Sequence, residues 1–298
     1  MIIFTILLSL FLIINDAQAA LIDNSFVNQC YGAKIAAMGE CGTALYGNPE
    51  YAYFNPASNG FISNAKINSS YSDYYAGSFL QGSFSVALPI SGWGVVSAVV
   101  PIQVVSNIPL TQKDIGNNEF YQIGSYNDIG AAGLLSWANV IDNSISFGAT
   151  LRYTKQKIYN QSSAGFGYDI GALYKVDSSY ANFLVGLSIL DIGNTVFTWD
   201  TGYSDYIQMS TRLGVAIEKR IDDCLLRVAC DAVSQGSQSE IRYGVDFQIS
   251  NLSFMAGLKN DTLTYGMGLR MSDMEIDYGI KTDKNLGNIS KVSVGLSF

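Results

Sequence analysis

Histidine is absent from the 298-residue chain, and that absence limits what its polar residues can do chemically. A Ser-His-Asp triad, a Cys-His pair and a His-ligated zinc are all excluded. Four cysteines make no metal cage on their own, so catalysis would rest on carboxylates, lysine and tyrosine. The inventory points to no enzyme, no metal and no cofactor. The charged residues instead follow a spatial pattern. Arg152, Arg212, Arg227, Asp231, Arg242, Asp246, Arg270 and Glu275 occupy alternate positions in runs whose other positions are apolar. In 240–249, for example, Ile241, Tyr243, Val245, Phe247 and Ile249 interleave with Glu240, Arg242, Gly244, Asp246 and Gln248. Strand geometry sends such alternate side chains to opposite faces. A hairpin of 224–234 with 240–249 that sets Arg227 opposite Asp246 also sets Arg242 opposite Asp231. Facing opposite charges stabilise strand pairing by about 0.2–1 kcal/mol. Mutual neutralisation accounts for these pairs more simply than a permeation role.

Many strands are needed to carry that pattern. Alternation predicts 64–74, 79–90, 93–103, 126–138, 144–156, 166–176, 183–192, 206–218, 224–234, 240–249, 252–259, 262–271, 274–282 and 289–298. That set is fourteen strands, an even number that closes an up-and-down barrel. Most approach the roughly 9–11 residues that a strand needs to cross a bilayer. Connections after even-numbered strands are short, whereas 104–125, 157–165 and 193–205 read as long loops on the other rim. The last of the five prolines is Pro109, so none interrupts the later ladder. Charged residues make up only 14%, as expected where outer faces meet lipid, and hydrophobic residues 48%. The net charge of -8 argues against a nucleic-acid partner. The inward charges by parity are the eight above with Asp169, Lys175, Glu218, Lys259, Asp277 and Lys281, a mixed set rather than a single-sign filter. Glycines such as Gly148, Gly171, Gly214, Gly244, Gly266 and Gly268 share the inward positions, where a crowded lumen needs room.

The ends add compartment and partners. Residues 2–14 are an apolar run too short to span a bilayer, followed by Ala17-Gln18-Ala19, so 1–19 reads as a secretory signal peptide. Export implies an oxidising compartment, which permits a Cys30–Cys41 bridge. The terminal Val294, Leu296 and Phe298 form an alternating strand with an aromatic end, read here as the signal for the barrel-assembly machinery. Outer-membrane lipid is the expected surroundings. Val95, Val96, Val99 and Val100 make one early strand apolar on both faces, as do Leu184 and Leu190 on a later one, so something apolar must lie inside. The non-alternating segment 20–63 is the candidate: it carries Ile35, Met38, Leu45, Tyr51, Tyr53 and Phe54, with a helix-prone stretch at 33–38.

Within that segment, Gly32 to Ala44 contains a Met-Gly-x-x-x-x-Ala core beginning at Met38-Gly39, and Phe54-Asn55-Pro56-Ala57-Ser58 contains an Asn-Pro-Ala signature. Both resemble the amino-terminal motif of the FadL-like outer-membrane proteins, and most nearly the PorV/PorQ branch. Gly186 to Gly193 resembles a second motif, with Asp191 where relatives usually carry Asn. The resemblance implies an all-β, 14-stranded antiparallel transmembrane barrel over 64–298, with residues 20–63 as a partly helical hatch in its lumen. It implies either passive uptake of hydrophobic small molecules such as long-chain fatty acids, or a component of a type IX-like protein secretion system. A structural barrel without transport is the remaining option; a general polar porin fits poorly, since a hatch would block the pore. The short chain trims the outer loops, though Val104, Val105, Ile108, Leu110 and Ile115 offer a small apolar groove. Met38, Gly39, Asn55, Pro56 and Ala57 are the expected hatch and hinge residues.

Overall fold

The computed structural model describes residues 26, 29–74, 77, 79–114, 116, 119–283 and 287–298. The signal peptide read in 1–19, and Ile115, lie outside them. The barrel strands are β1 (Lys66–Tyr74), β2 (Phe79–Ile90), β3 (Gly94–Lys113), β4 (Phe120–Ile141), β5 (Ile145–Ile158), β6 (Gln161–Val176) and β7 (Asn182–Leu190). A small hairpin follows, β8 (Thr195–Trp199) and β9 (Ser204–Ile207). The ring then continues with β10 (Ser210–Ile221), β11 (Cys224–Gln235), β12 (Gln238–Ile249), β13 (Leu252–Lys259), β14 (Thr262–Met271), β15 (Met274–Asp283) and β16 (Gly287–Ser297). Each ring strand pairs antiparallel with its neighbours, β7 with β10 and β16 with β1, which closes a 14-stranded barrel.

Alternation places side chains as the sequence pattern requires. Leu135, Trp137, Phe147, Leu151, Tyr153, Phe166 and Ile170 point outward and exposed, while Leu134, Ser136, Thr150, Arg152 and Asp169 point inward and are buried. A closed barrel with an apolar outside and a polar inside is the arrangement of an outer-membrane protein. No helix among the described residues is long and apolar enough to cross a membrane, as a barrel crosses with strands.

The reading of long loops at 104–125 and 157–165 is corrected. The first is the continuation of β3 and β4, with 20 and 22 residues. The second is the continuation of β5 and β6, with 14 and 16 residues, around a turn at 159–160. The β3–β4 ladder shifts register between Val105 and Ile108 and again between Leu110 and Thr111, so pairing survives where alternation is lost. The expected loop 193–205 contains the β8–β9 hairpin, which pairs with the projecting end of β6 through Ser163↔Trp199 and Ala164↔Thr198. The strands β3–β6 exceed the roughly 9–11 residues needed to cross a bilayer. The asymmetry between rims is therefore carried by projecting strands.

Before β1 the described residues include a five-residue α-helix, Ala33–Ala37, and the 3-10 turns Pro49–Tyr53 and Pro56–Asn59, all buried. This inner segment packs against strands around the ring, and its Ile35, Met38, Leu45, Tyr51 and Phe54 share one apolar core with Val99, Leu134, Leu173, Leu184 and Met255 of the wall. That core is what the doubly apolar early strands cover. Cys30 and Cys41 are both buried free thiols, so the permitted bridge does not form; the helix and its C-terminal turn separate them.

Wall glycines allow the inner backbone to touch the sheet. A Cβ on Gly186 would overlap the carbonyl of Thr43, and one on Gly257 the backbone at Met38 and Gly39. Gly148, Gly171 and Gly244 face Pro56, Asn55 and Met38 in the same way. Overpacking of this kind costs about 1–3 kcal/mol. Gly186→Val is therefore expected to lower the free energy of unfolding by at least that amount in urea titrations followed by tryptophan fluorescence. Gly133→Val, where a Cβ meets nothing within 4 Å, is the control and is expected to stay near wild type.

Candidate functional site

The inner segment carries charges of its own into the lumen, and the wall answers each. Lys34, buried on the short helix, lies 2.8 Å from Glu275 and 3.5 Å from Asp246. Asp246 also holds Arg227 at 3.1 Å, Arg227 holds Glu218 at 2.6 Å, and Glu275 holds Arg270 at 3.2 Å. The result is an unbroken alternation of sign from Glu218 to Arg270 with Lys34 at its middle. A second group centres on Glu40, which meets Lys259 at 2.7 Å and Arg242 at 3.7 Å, with Arg242 also bound to Glu240. A third joins Arg152 to Asp169 at 2.8 Å and to Asp191 at 3.4 Å, with the guanidinium over the ring of Tyr53.

Glu40 and Glu50 are opposite cases within the inner segment. Burial disfavours the Glu40 carboxylate, but Lys259 and Arg242 outweigh it and hold the group below the ordinary carboxylate range. Glu50 accepts a hydrogen bond from the hydroxyl of Ser83, but burial outweighs it and pushes its carboxyl upward. Lys291 of β16 donates to the carbonyl of Cys30 at 2.8 Å, tying the start of the inner segment to the wall.

Asn55 and Asp231 hold backbone rather than charge. The Asn55 amide donates to the carbonyls of Thr43 at 2.8 Å and Ala172 at 3.0 Å, while its Oδ1 accepts from the Ala57 N–H at 3.0 Å. Pro56 opens the second 3-10 turn, where its missing N–H costs nothing, and the Ala57 carbonyl accepts from Ser146 at 2.7 Å. Met38 caps the helix, and Gly39 (φ 65°) donates its N–H to Thr264 at 3.0 Å. Asp231 Oδ2 accepts from the N–H groups of Gly42 and Thr43, each at 2.9 Å.

The register expected for β11 and β12 is present, with Arg227↔Asp246 and Asp231↔Arg242 facing. Only the first pair makes its ion pair; Asp231 turns to the inner backbone and Arg242 to Glu240 and Glu40. Arg212 lies over the ring of Phe54. Val294 and Phe298 are exposed on the outer face, and the Phe298 N–H donates to Ala65 at 2.9 Å. Lys34, Glu40 and Glu50 were not singled out from sequence, because no periodicity marks which side chains of an irregular segment meet the wall. Glu240 could have been found, since it shares the inward parity of Arg242 and Asp246.

At the projecting rim, Leu110, Tyr126, Ile158, Tyr159, Trp199 and Tyr203 line an open, mainly apolar cleft of about 580 Å³. Of the residues expected to form an apolar groove, Leu110 is part of it.

No protein-family model and no curated protein matches the chain. Among solved structures, it is similar to the Ralstonia pickettii toluene transporter TbuX, at 11% identity and a TM-score of 0.54, over 92% of this chain and 98% of that one. The CymD monoaromatic hydrocarbon channel gives 12% identity and 0.53, over 90% and 97%. A Pseudomonas aeruginosa FadL homologue gives 12% and 0.50, over 90% and 98%. The likeness is one of fold: the chain shares its barrel architecture with these three proteins.

Removing Asp231 strands two buried N–H groups, each worth about 1–3 kcal/mol. Asp231→Ala is expected to expose the segment near residues 42–43 to limited proteolysis while the barrel keeps its heat-shifted mobility on gels. Glu40 gives a pH signature. Its folded-state value is depressed, so its contribution is complete above the ordinary glutamate pKa of about 4.3 and is lost as pH falls toward the lower value. Protection of the inner segment should therefore weaken below about pH 4 in the wild type, and Glu40→Gln should flatten that dependence.

Proposed function

We propose that this protein is an outer-membrane barrel for passive uptake of hydrophobic small molecules, with residues 20–63 as its hatch. The observation that carries the reading is the aromatic cleft at the projecting rim. Trp199, Tyr126, Tyr159 and Tyr203 with Leu110 and Ile158 offer an apolar solute a place to leave water before it meets the hatch. Burial of apolar surface contributes about 25 cal/mol per Å², enough for a small aromatic to concentrate there. The fold shared with a toluene transporter and a monoaromatic hydrocarbon channel supports the same reading. Asn55, Pro56 and Ala57 fix the hatch to β5 and β6, and Met38 and Gly39 fix it to the opposite wall at β12–β14. Recognition of Val294, Leu296 and Phe298 by the barrel-assembly machinery, and export through the periplasm, belong to this proposal.

A second reading is favoured by the filled lumen. Three ion-pair groups and a shared apolar core occupy its interior, which suits a structural or PorV/PorQ-like secretion component that binds partners instead of passing solutes. The two readings separate by measurement. In outer-membrane vesicles containing the full chain, toluene should enter several-fold faster than in vesicles without it, while a small sugar should not. Trp199→Ala with Tyr126→Ala should reduce the toluene rate. Deleting residues 21–50 should raise passage of both solutes. A folded barrel that leaves toluene entry unchanged supports the structural or secretion reading.

A further inference from the structure

A second cavity, of about 280 Å³, lies beside the apolar cleft and shares Trp199 with it. We propose that this cavity binds an organic ammonium ion carried on an apolar body, a ligand class that deepens the uptake reading and rests on it. The chemistry follows from what lines the space. The projecting ends of four consecutive strands each contribute one inward polar residue: Gln103 from β3, Asp128 from β4, Gln156 from β5 and Ser163 from β6. The β8–β9 hairpin covers them with Phe197, Trp199 and Tyr206, and adds Asp205. The lining thus has two carboxylates, several aromatic rings and no lysine or arginine among the described residues.

The carboxylates have no cationic partner within this lining. Gln156, a neutral amide, donates to both oxygens of Asp128, at 3.0 and 3.2 Å. Asp205 accepts from the Tyr206 N–H at 3.0 Å. The guanidinium of Arg152, four residues before Gln156 on β5, is committed to Asp169 and Asp191. Ser163 supplies an independent sign of a missing partner. Its side chain is 3% exposed, it lines the cavity, and its Oγ makes no hydrogen bond.

Three ligand classes fare differently in such a space. A carboxylate, including that of a fatty acid, meets two like charges. A neutral hydrocarbon suits the rings but covers Asp128 and Asp205 without compensating them, which is costly. An ammonium group attracts both carboxylates and lies favourably over aromatic faces, tryptophan best of all. The apolar cleft on the other side of Trp199 accommodates the rest of such a molecule.

The test uses the full-length protein in a maltoside detergent, which carries no ammonium headgroup, and isothermal titration with three probes. Phenyltrimethylammonium is expected to bind at least about tenfold more tightly than its neutral isostere tert-butylbenzene, and phenylacetate is expected to show no saturable binding. Asp128→Asn with Asp205→Asn should bring the cation down to the affinity of the isostere while leaving the isostere unchanged; an unaltered cation affinity in that variant overturns the proposal. Equal affinity for cation and isostere, tighter binding of phenylacetate, or no saturable binding of the cation also overturns it. Toluene uptake without ammonium binding sinks this assignment alone. Ammonium binding without toluene uptake sinks the uptake reading alone.

Discussion

A polar group carried into a lumen packed with peptide has no water to fall back on, and most of this structure follows from that. Lys34 and Glu40 enter the barrel as charges, and leaving either unpaired would cost about 3–5 kcal/mol, against a typical total stability of about 5–15 kcal/mol. The wall cannot be polar at random; it has to present the right sign at the right depth. Asp246 and Glu275 do so for Lys34, and Lys259 and Arg242 for Glu40. Those residues then need partners of their own, so the alternation of sign spreads outward to Arg227, Glu218, Arg270 and Glu240. Two of the three charge groups in the lumen are the echo of two side chains on the inner segment; the third, of Arg152 with Asp169 and Asp191, belongs to the wall.

The same economy governs uncharged groups. Where the inner backbone runs against the sheet, the wall removes its own side chains, as at Gly186 and Gly257. Where the inner backbone leaves N–H groups bare, a side chain reaches in, as Asp231 does for Gly42 and Thr43. The barrel is thereby divided along its axis. At the level of Arg152 and Asp169 it is filled and its carboxylates are paired with a guanidinium; at the level of Asp128 and Ser163 it is hollow, and among the described residues Asp128 meets only the neutral amide of Gln156 and the Ser163 hydroxyl makes no hydrogen bond. The projecting ends of β3–β6 build the hollow end.

Much of this could be read from the chain before any coordinates. Parity alone fixes which residues face inward, and the Arg227–Asp246 register follows because a shift of one residue would turn every charge toward lipid. Parity cannot say what an inward side chain will choose, and Asp231 preferred two backbone donors to the guanidinium across from it. The projecting parts of β3 and β4 were hidden for another reason. Beyond the bilayer neither face must be apolar, so Thr111, Gln112 and Gln122 continue a ladder without continuing the pattern. The inner segment was legible as apolar and irregular, and its motif residues Asn55 and Gly39 stood out, but the wall partners of Lys34 and Glu40 depend on tertiary placement that no local spacing records.

The bond from Lys291 to the carbonyl of Cys30 spans 261 positions of sequence. Lys291 stands on β16, the strand that also meets β1 to close the ring. The residue that clamps the beginning of the inner segment is thus delivered by the last of the described strands. Loop closure over such a span is entropically late, and contacts of this kind slow folding. Filling of the lumen and closure of the wall are thereby coupled: a barrel that sealed first would leave its inner segment outside.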